Sequence, residues 1–183
     1  RTVTAGIVTR EIPLDQFPSP AELWTRYRKA KGYTDAQEAV ATQDYYDDSS
    51  QKAPRYYQLN AINRTVDAIA RGENRLLLVM ATGTGKTYTA FQIIWRLWKS
   101  GAKKRILFLV DTRNLGKQAH QEFMAYTPPD DGRKFTELYN VQRLASPTID
   151  PHSQVCISTI QRMYSMLKGR ELPEEADEES TER

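Results

Sequence analysis

The chain has 183 residues, a formal net charge of +3 and a single cysteine, Cys156. This length suits about one domain with one core, and a lone cysteine excludes an intrachain disulfide framework. The sequence has no apolar run of about 18 residues and no signal peptide, so we expect a cytoplasmic protein without a membrane contact. The first residue is Arg1 rather than methionine, which suggests a piece of a longer protein.

Charge is unevenly distributed along the chain. Residues 1–50 hold 6 basic and 8 acidic residues, residues 51–170 hold 19 and 8, and residues 171–183 hold 1 and 7. The central excess of positive charge favours a polyanionic partner such as nucleic acid, because phosphate neutralisation dominates nucleic-acid affinity. An ordinary basic surface is the alternative.

The first 53 residues have the proline-rich and polar composition of a connecting region. Within them, Ser19–Glu22 places a serine N-cap, a proline in the first turn and a glutamate three residues after the serine. This pattern predicts one short helix that docks on a neighbour.

From Arg55 onward, helical spacing alternates with short apolar runs. Apolar residues at helical spacing predict a helix that stops at Gly72. The other predicted elements are strands at Leu76–Met80, Ile106–Val110 and Val155–Ser158, helices at Tyr88–Ser100, Leu115–Tyr126 and Thr159–Leu167, and a turn-rich loop at Thr127–Gly132. Continuous apolar strands alternating with helices predict an α/β fold with a parallel sheet covered on both faces.

Residues Met80–Thr87 read Met-Ala-Thr-Gly-Thr-Gly-Lys-Thr, between a predicted strand and a predicted helix. This is the context of a phosphate-binding loop, although a glycine-rich turn without a ligand is the alternative. The backbone of the loop would bind phosphate oxygens, and the helix start would add its positive dipole end. The candidate ATP-binding residues are Thr82, Gly83, Thr84, Gly85, Lys86 and Thr87.

Two side chains of the loop have specific candidate roles. Lys86, the candidate catalytic residue, would reach the β and γ phosphates, and Thr87 would ligate the Mg²⁺ that bridges them. Met80 departs from the strict pattern, which has a small residue at the first position.

Gln58 is a further candidate for the ATP site. A glutamine amide offers a donor and an acceptor, so Gln58 can pair with the N6 amino group and N7 of adenine. A solvated helix end is the alternative interpretation.

Five polar residues lie at or just beyond the carboxyl ends of predicted parallel strands, where ligands bind in open α/β sheets. Their hydroxyl, amide and guanidinium groups suit contacts with a nucleic-acid backbone that do not read bases. Capping of the following helix is the alternative for the hydroxyl residues. The candidate DNA-binding residues are Thr112, Arg113, Ser158, Thr159 and Gln161.

Four segments together resemble the first RecA-like motor domain of superfamily 2 helicases and translocases, and more narrowly the motor (R) subunit of type I restriction enzymes. The segments are Pro54–Ile62, Met80–Thr87, Asp111–Gln118 and Val155–Gln161. The resemblance implies an incomplete RecA-like P-loop fold: a linker or the tail of a preceding nuclease domain in residues 1–53, a partial motor domain in residues 54–170, and a flexible acidic tail in residues 171–183. It also implies ATP and Mg²⁺ as cofactors, movement on double-stranded DNA, and methyltransferase and specificity subunits as partners.

Parts that the resembled family needs for ATP hydrolysis and cleavage are missing from the sequence. No Asp-Glu pair ends an apolar strand, since Asp177-Glu178 lies in the acidic tail, and no second RecA-like lobe follows. Glu22 and Glu38 lack the lysine two residues on that a nuclease constellation needs. We therefore expect the chain alone to bind nucleotide weakly and not to hydrolyse it. The alternatives are a superfamily 2 helicase of another kind, acting on RNA or DNA, and a nucleotide-sensing module without hydrolysis.

Overall fold

A computed structural model of the chain describes residues 11–47, 53–125, 140–144 and 148–169. The predicted acidic tail and the predicted loop at Thr127–Gly132 lie outside these residues. After a 3-10 turn, the described residues form six α-helices and three β-strands. In chain order they are α1 (Pro20–Lys31), α2 (Asp35–Ala41), α3 (Tyr56–Ala70), α4 (Lys86–Lys99), β1 (Ile106–Val110), α5 (Arg113–Ala125), β2 (Val141–Arg143), β3 (Val155–Thr159) and α6 (Ile160–Leu167). None of the helices in these ranges has the length and apolar content that a membrane crossing requires.

The three strands form a parallel sheet in the order β1–β3–β2. All five residues of the central strand β3 are buried. Ile106 pairs with Val155, and Val110 pairs with Thr159, so the carboxyl ends of β1 and β3 meet at one edge of the sheet. The predicted parallel sheet flanked by helices is therefore confirmed.

The core lies between the sheet and helices α4 and α5. The rings of Phe91 and Phe123 meet edge to face at 5.2 Å, and Tyr46 packs edge to face on Phe91 and Trp95 at 5.0 and 5.3 Å. Such edge-to-face contacts add to the stabilisation that apolar burial supplies. The buried residues of this core are Tyr46, Phe91, Ile94, Trp95, Phe123, Val155 and Ile157.

Helix α1 begins at the predicted position. Ser19 accepts a hydrogen bond from the Glu22 N–H (3.3 Å), and the Glu22 carboxylate accepts one from the Ser19 N–H (2.8 Å). The backbone hydrogen bond from Ser19 lowers the pKa of Glu22. This reciprocal pair is a capping box, so the predicted helix start is confirmed.

The described part of the predicted connecting region packs against the lobe that follows. The side chain of Gln92 bonds to both the N–H and the carbonyl of Tyr46, each at 2.9 Å. Arg96 donates to the Ala41 carbonyl (2.6 Å) and to the Asn63 side chain (2.7 Å), and burial lowers the pKa of this guanidinium. Hydrogen bonds from Gln92 and Arg96 therefore fix Tyr46 and Ala41 to helix α4.

One predicted element is wrong: Leu76–Met80 is not a strand. Leu77 and Val79 are each 87% exposed, and the segment pairs with none of the three strands in the described sheet. A strand needs a neighbour to satisfy its backbone N–H and C=O groups, and an apolar run does not supply that neighbour. Because the segment does not pair with β1, β1 forms an edge of the described sheet.

Candidate functional site

The candidate phosphate loop is a tight turn that leads into helix α4. Gly83 and Gly85 have φ angles of +77° and +80°, in the left-handed region that side chains with a Cβ atom rarely adopt. The Thr84 hydroxyl donates to the Ala81 carbonyl (2.7 Å), and the Thr84 N–H approaches the same oxygen at 3.4 Å. The two glycines therefore permit the backbone bend that closes the loop.

Helix α4 starts directly at the end of this loop, with Gly85 as its N-cap and no side-chain cap. The first hydrogen bond of the helix runs from the Thr89 N–H to the Gly85 carbonyl (2.9 Å). The N–H groups of Lys86 and Thr87 come before this bond and therefore have no acceptor within the helix. Such N–H groups and the positive end of the helix dipole suit an anion. The local geometry therefore fits a phosphate group.

Two side chains follow at the helix start. Lys86 is exposed, and its ammonium donates to the Ala81 carbonyl (3.2 Å), so the charge lies over the loop. Thr87 is half-buried in the first turn, and Thr82 is exposed. Within the described ranges, no group of three or more His, Cys, Asp or Glu residues could hold a metal ion. The loop thus offers an ammonium and hydroxyls for phosphate and Mg²⁺ but no acidic cluster.

Gln58 contacts the loop from the first turn of helix α3. Its amide nitrogen donates to the Thr84 carbonyl (2.8 Å), and its amide oxygen accepts from the Arg55 N–H (2.9 Å). The side chain is 7% exposed. The structure thus places Gln58 beside the phosphate loop, as the sequence predicts for one site, with both halves of the amide bonded to protein backbone.

Thr112 and Arg113 lie where β1 passes into α5. The Thr112 hydroxyl accepts from the Leu115 N–H (3.3 Å), which is a helix-capping contact. Both residues are half-buried. Gly116 brings the helix close to the sheet, since a Cβ atom there would lie 3.2 Å from the Val110 side chain.

The residues that follow β3 lie at the same edge of the sheet but are more enclosed. Ser158 is 3% exposed and donates to the Thr159 carbonyl (3.0 Å). Thr159 is 7% exposed and caps α6 by accepting from the Arg162 N–H (3.2 Å). Gln161 is half-buried. A nucleic-acid strand could reach Ser158 and Thr159 only if the end of β3 became uncovered.

Sequence reasoning missed two contributors to the site. Ala81 supplies the carbonyl to which Thr84 and Lys86 both donate, but a backbone acceptor has no residue-type signal. Arg55 contributes its N–H to the Gln58 amide. The residue type did not indicate this contact, because the sequence pattern of a capping box begins with Ser or Thr and position 55 is arginine.

Comparison with known proteins gives the family. Residues 51–181 match the family described as "Type III restriction enzyme, res subunit". The chain belongs to this family. The res-subunit match includes the phosphate loop, helices α3 to α6 and all three strands.

Two curated relatives of this res-subunit chain are endonuclease subunits of type I restriction enzymes. The chain is 52% identical over 167 residues to the EcoAI subunit of Escherichia coli, an alignment that covers 91% of this chain and 19% of the relative. It is 38% identical over 109 residues to the EcoKI subunit of E. coli strain K12, covering 60% of this chain and 9% of the relative. The chain therefore spans less than a fifth of the length of either relative.

A solved structure agrees with these relatives. A fragment assigned to the HsdR subunit of a type I restriction enzyme from Vibrio vulnificus YJ016 matches with a TM-score of 0.64 and 30% sequence identity. The match covers 87% of this chain and 27% of that chain. The predicted resemblance to superfamily 2 proteins and to type I restriction subunits is confirmed, and the chain shares the fold of this HsdR fragment.

Proposed function

We propose that this res-subunit chain is the ATP-binding part of a DNA-translocating motor in a type I restriction endonuclease subunit. The observation that carries the proposal is the turn at residues 81–85, whose two left-handed glycines lead into the uncapped start of α4. Membership of the res-subunit family and the similarity to type I endonuclease subunits support the proposal.

In this proposal, the loop binds the triphosphate and the magnesium ion. Backbone N–H groups of the loop and of the helix start, including those of Gly85, Lys86 and Thr87, bind phosphate oxygens, and the Lys86 ammonium neutralises the β and γ phosphates. Thr87 provides the hydroxyl for Mg²⁺. Bound Mg²⁺ would supply charge neutralisation on the phosphates. A contact between Gln58 and adenine stays a prediction from the sequence.

The proposed DNA surface is the carboxyl edge of the sheet. Thr112, Arg113, Ser158, Thr159 and Gln161 lie at this edge or just beyond it. Ser158 and Thr159 would contact DNA only after the end of β3 is uncovered. Residues 51–170 carry 19 basic and 8 acidic residues, and such an excess attracts a DNA backbone independently of base sequence. Contacts of this kind suit a motor that moves along any duplex sequence.

Hydrolysis and target recognition are assigned in this proposal to other parts of the assembly. An acidic box and a second motor lobe in other parts of the subunit would complete the ATPase, while methyltransferase and specificity subunits would direct it to DNA. The chain alone is then expected to bind Mg-ATP without turning it over. Residues 1–53 would connect the motor to a nuclease domain, and residues 54–170 would form the first RecA-like unit.

Calorimetric titration of the chain with Mg-ATP tests the proposal through Lys86→Ala. Loss of a charge-assisted phosphate contact is expected to weaken binding about 10- to 100-fold while the fold is retained, because Lys86 is exposed. Lys103→Ala is the matched control, since it removes an exposed lysine near the opposite, amino end of β1. Equal binding by Lys86→Ala and the wild type would overturn the nucleotide site.

The motor function needs a separate measurement. In a complete type I endonuclease subunit that carries this sequence, Lys86→Ala is expected to abolish DNA-stimulated ATP hydrolysis. A subunit that binds ATP but hydrolyses none in the presence of DNA would support a nucleotide-sensing module instead.

A further inference from the structure

The amide of Gln58 joins two elements of the nucleotide site through backbone groups. Its oxygen accepts from the Arg55 N–H at the start of α3, and its nitrogen donates to the Thr84 carbonyl in the phosphate loop. Thr84 and Lys86 bond to Ala81 within the loop itself, whereas Gln58 reaches the loop from another helix. The amide therefore links the position of the loop to helix α3.

The loop backbone is shaped to admit this amide. A Cβ atom built on Gly85 would lie 2.5 Å from the Gln58 amide nitrogen, a distance that real Cβ contacts essentially never show. A Cβ atom on Gly83, which has nearly the same φ angle, would meet nothing within 4 Å. The absence of a side chain at position 85 thus permits the close approach of Gln58.

The contact with the Thr84 carbonyl also determines the direction of a donor. The peptide unit between Thr84 and Gly85 is planar and trans, so its carbonyl and its N–H point in opposite directions. Because the Thr84 carbonyl points toward Gln58 and accepts its hydrogen bond, the Gly85 N–H points away from Gln58. This N–H belongs to the set proposed to bind phosphate, and a fixed direction lowers the cost of ordering it on binding.

We propose that Gln58 is a positioning residue of the phosphate loop, and that it raises affinity for the polyphosphate group whichever base is attached. The inference rests on the proposed nucleotide-binding function of the loop. It differs from adenine recognition, in which the second N–H and the second lone pair of the amide would bind the base. The two roles predict that loss of the amide lowers the affinity for different sets of ligands.

Inorganic tripolyphosphate separates the two roles because it has phosphates and no base. Calorimetric titrations of the full chain with tripolyphosphate, ATP and GTP, all in the presence of Mg²⁺, are compared for the wild type and Gln58→Ala. Gln58→Ala is expected to weaken all three ligands by the same factor, about five- to tenfold, the size of one hydrogen bond. Gln58→Glu keeps the acceptor for Arg55 but loses the donor to Thr84, so it should weaken tripolyphosphate at least as much.

Gln92→Ala is the matched control for the loss of a buried amide. Gln92 also accepts from one backbone N–H and donates to one backbone carbonyl, both of Tyr46, and its nitrogen donates to the Tyr88 hydroxyl at 3.0 Å. None of these partners belongs to residues 81–85. We expect this variant to lower the melting temperature while its affinity for each ligand stays within about twofold of the wild type. A general effect of destabilisation would weaken binding in both variants and would contradict a positioning role.

Two results would overturn the inference in distinguishable ways. Unchanged tripolyphosphate affinity in Gln58→Ala, with ATP reduced to the affinity of GTP, would assign the amide to adenine and leave the nucleotide site intact. Failure of the wild-type chain to bind any of the three ligands would overturn the proposed function of the loop together with the role of Gln58.

Discussion

Gly83 and Gly85 form a matched pair of positions for testing how the phosphate loop is held. Both have left-handed φ angles, +77° and +80°, but only a Cβ at position 85 would meet the Gln58 amide, at 2.5 Å. Alanine at either position has the cost of the left-handed conformation, about 1–2 kcal/mol. Alanine at position 85 also forces Gln58 to move away.

The additional cost at position 85 follows from the hydrogen bond that is lost. Gln58 donates to the Thr84 carbonyl at 2.8 Å. Gln58 is 7% exposed and Thr84 is half-buried, so water has limited access to the Gln58 amide. Leaving buried polar groups unpaired costs about 1–3 kcal/mol. We therefore expect Gly83→Ala to lower the free energy of unfolding by about 1–2 kcal/mol, and Gly85→Ala by about 2–5 kcal/mol.

Urea unfolding followed by circular dichroism measures these differences, and the double variant Gln58→Ala/Gly85→Ala completes a mutant cycle. Once the Gln58 amide is absent, Gly85→Ala should cost no more than Gly83→Ala. Equal costs for the two alanine variants in the wild-type background would refute the steric argument. A larger cost at position 85 that persisted without the Gln58 amide would refute it as well.

Two further predictions concern the sheet edge and the hydrogen bond from Tyr33, between α1 and α2, to Asp67 in α3. Arg113→Ala should weaken DNA binding by a similar factor for all sequences and reduce the salt slope by about one, in filter-binding assays over a range of salt concentrations. Lys103→Ala, near the other end of β1, is the control, and a sequence-selective loss would contradict a backbone contact. At alkaline pH, Tyr33→Phe should become less destabilising relative to the wild type. Burial and the hydrogen bond to Asp67 raise the pKa of Tyr33.

The sign of the Tyr33 effect follows from proton linkage. An unfolded tyrosine loses its proton at about pH 10, whereas folded Tyr33 keeps it to higher pH, so the native state binds more protons in this range. Stability from Tyr33 is complete below this pH and falls as the pH rises above it. Urea unfolding of both proteins near neutral pH and above about pH 10 measures the difference, and a constant difference would contradict the shift.

Local sequence signals predicted much of the fold. Val155–Ser158 is a continuous apolar and small-residue run and forms β3, and the helical spacing that ends at Gly72 forms α3 (Tyr56–Ala70). Helix α2 was missed although Thr34 and Gln37 form a capping box, because Asp35–Ala41 has little apolar periodicity. Strand β2 has only three residues, and pairing with β3 rather than its own pattern determines it.

The contacts within the candidate site were harder to predict, because residue type does not report burial. A serine at a strand end can bind a phosphate or be buried in the fold. Ser158 is 3% exposed because the whole of β3 is buried, and the residue type does not indicate this. Similarly, the sequence offers a donor and an acceptor at Gln58 but not their partners. Those partners, the Arg55 N–H and the Thr84 carbonyl, are backbone atoms that tertiary packing brings together.

For the apolar run Leu76–Met80, too, residue type does not report burial. The exposure of this segment can be tested by substituting two leucines. Leu77 is 87% exposed, whereas Leu97 in α4 is 6% exposed. Leu97→Ala should lower the free energy of unfolding by about 2–5 kcal/mol, because a buried leucine loses both apolar contact and packing. Leu77→Ala should change it by less than about 0.5 kcal/mol, the usual effect of an exposed substitution.

Urea unfolding at several protein concentrations compares the two variants under conditions that also reveal self-association. If Leu77→Ala costs as much as Leu97→Ala at every concentration, the segment is buried within a single chain and the strand assignment from the sequence is restored. A cost that grows with concentration would mean that chains cover the segment for one another. If Leu77→Ala lowers the free energy of unfolding only slightly at every concentration, Leu77 is exposed, as in the structure. The apolar pattern then favours burial, but another part of the structure must supply the surface that buries the segment.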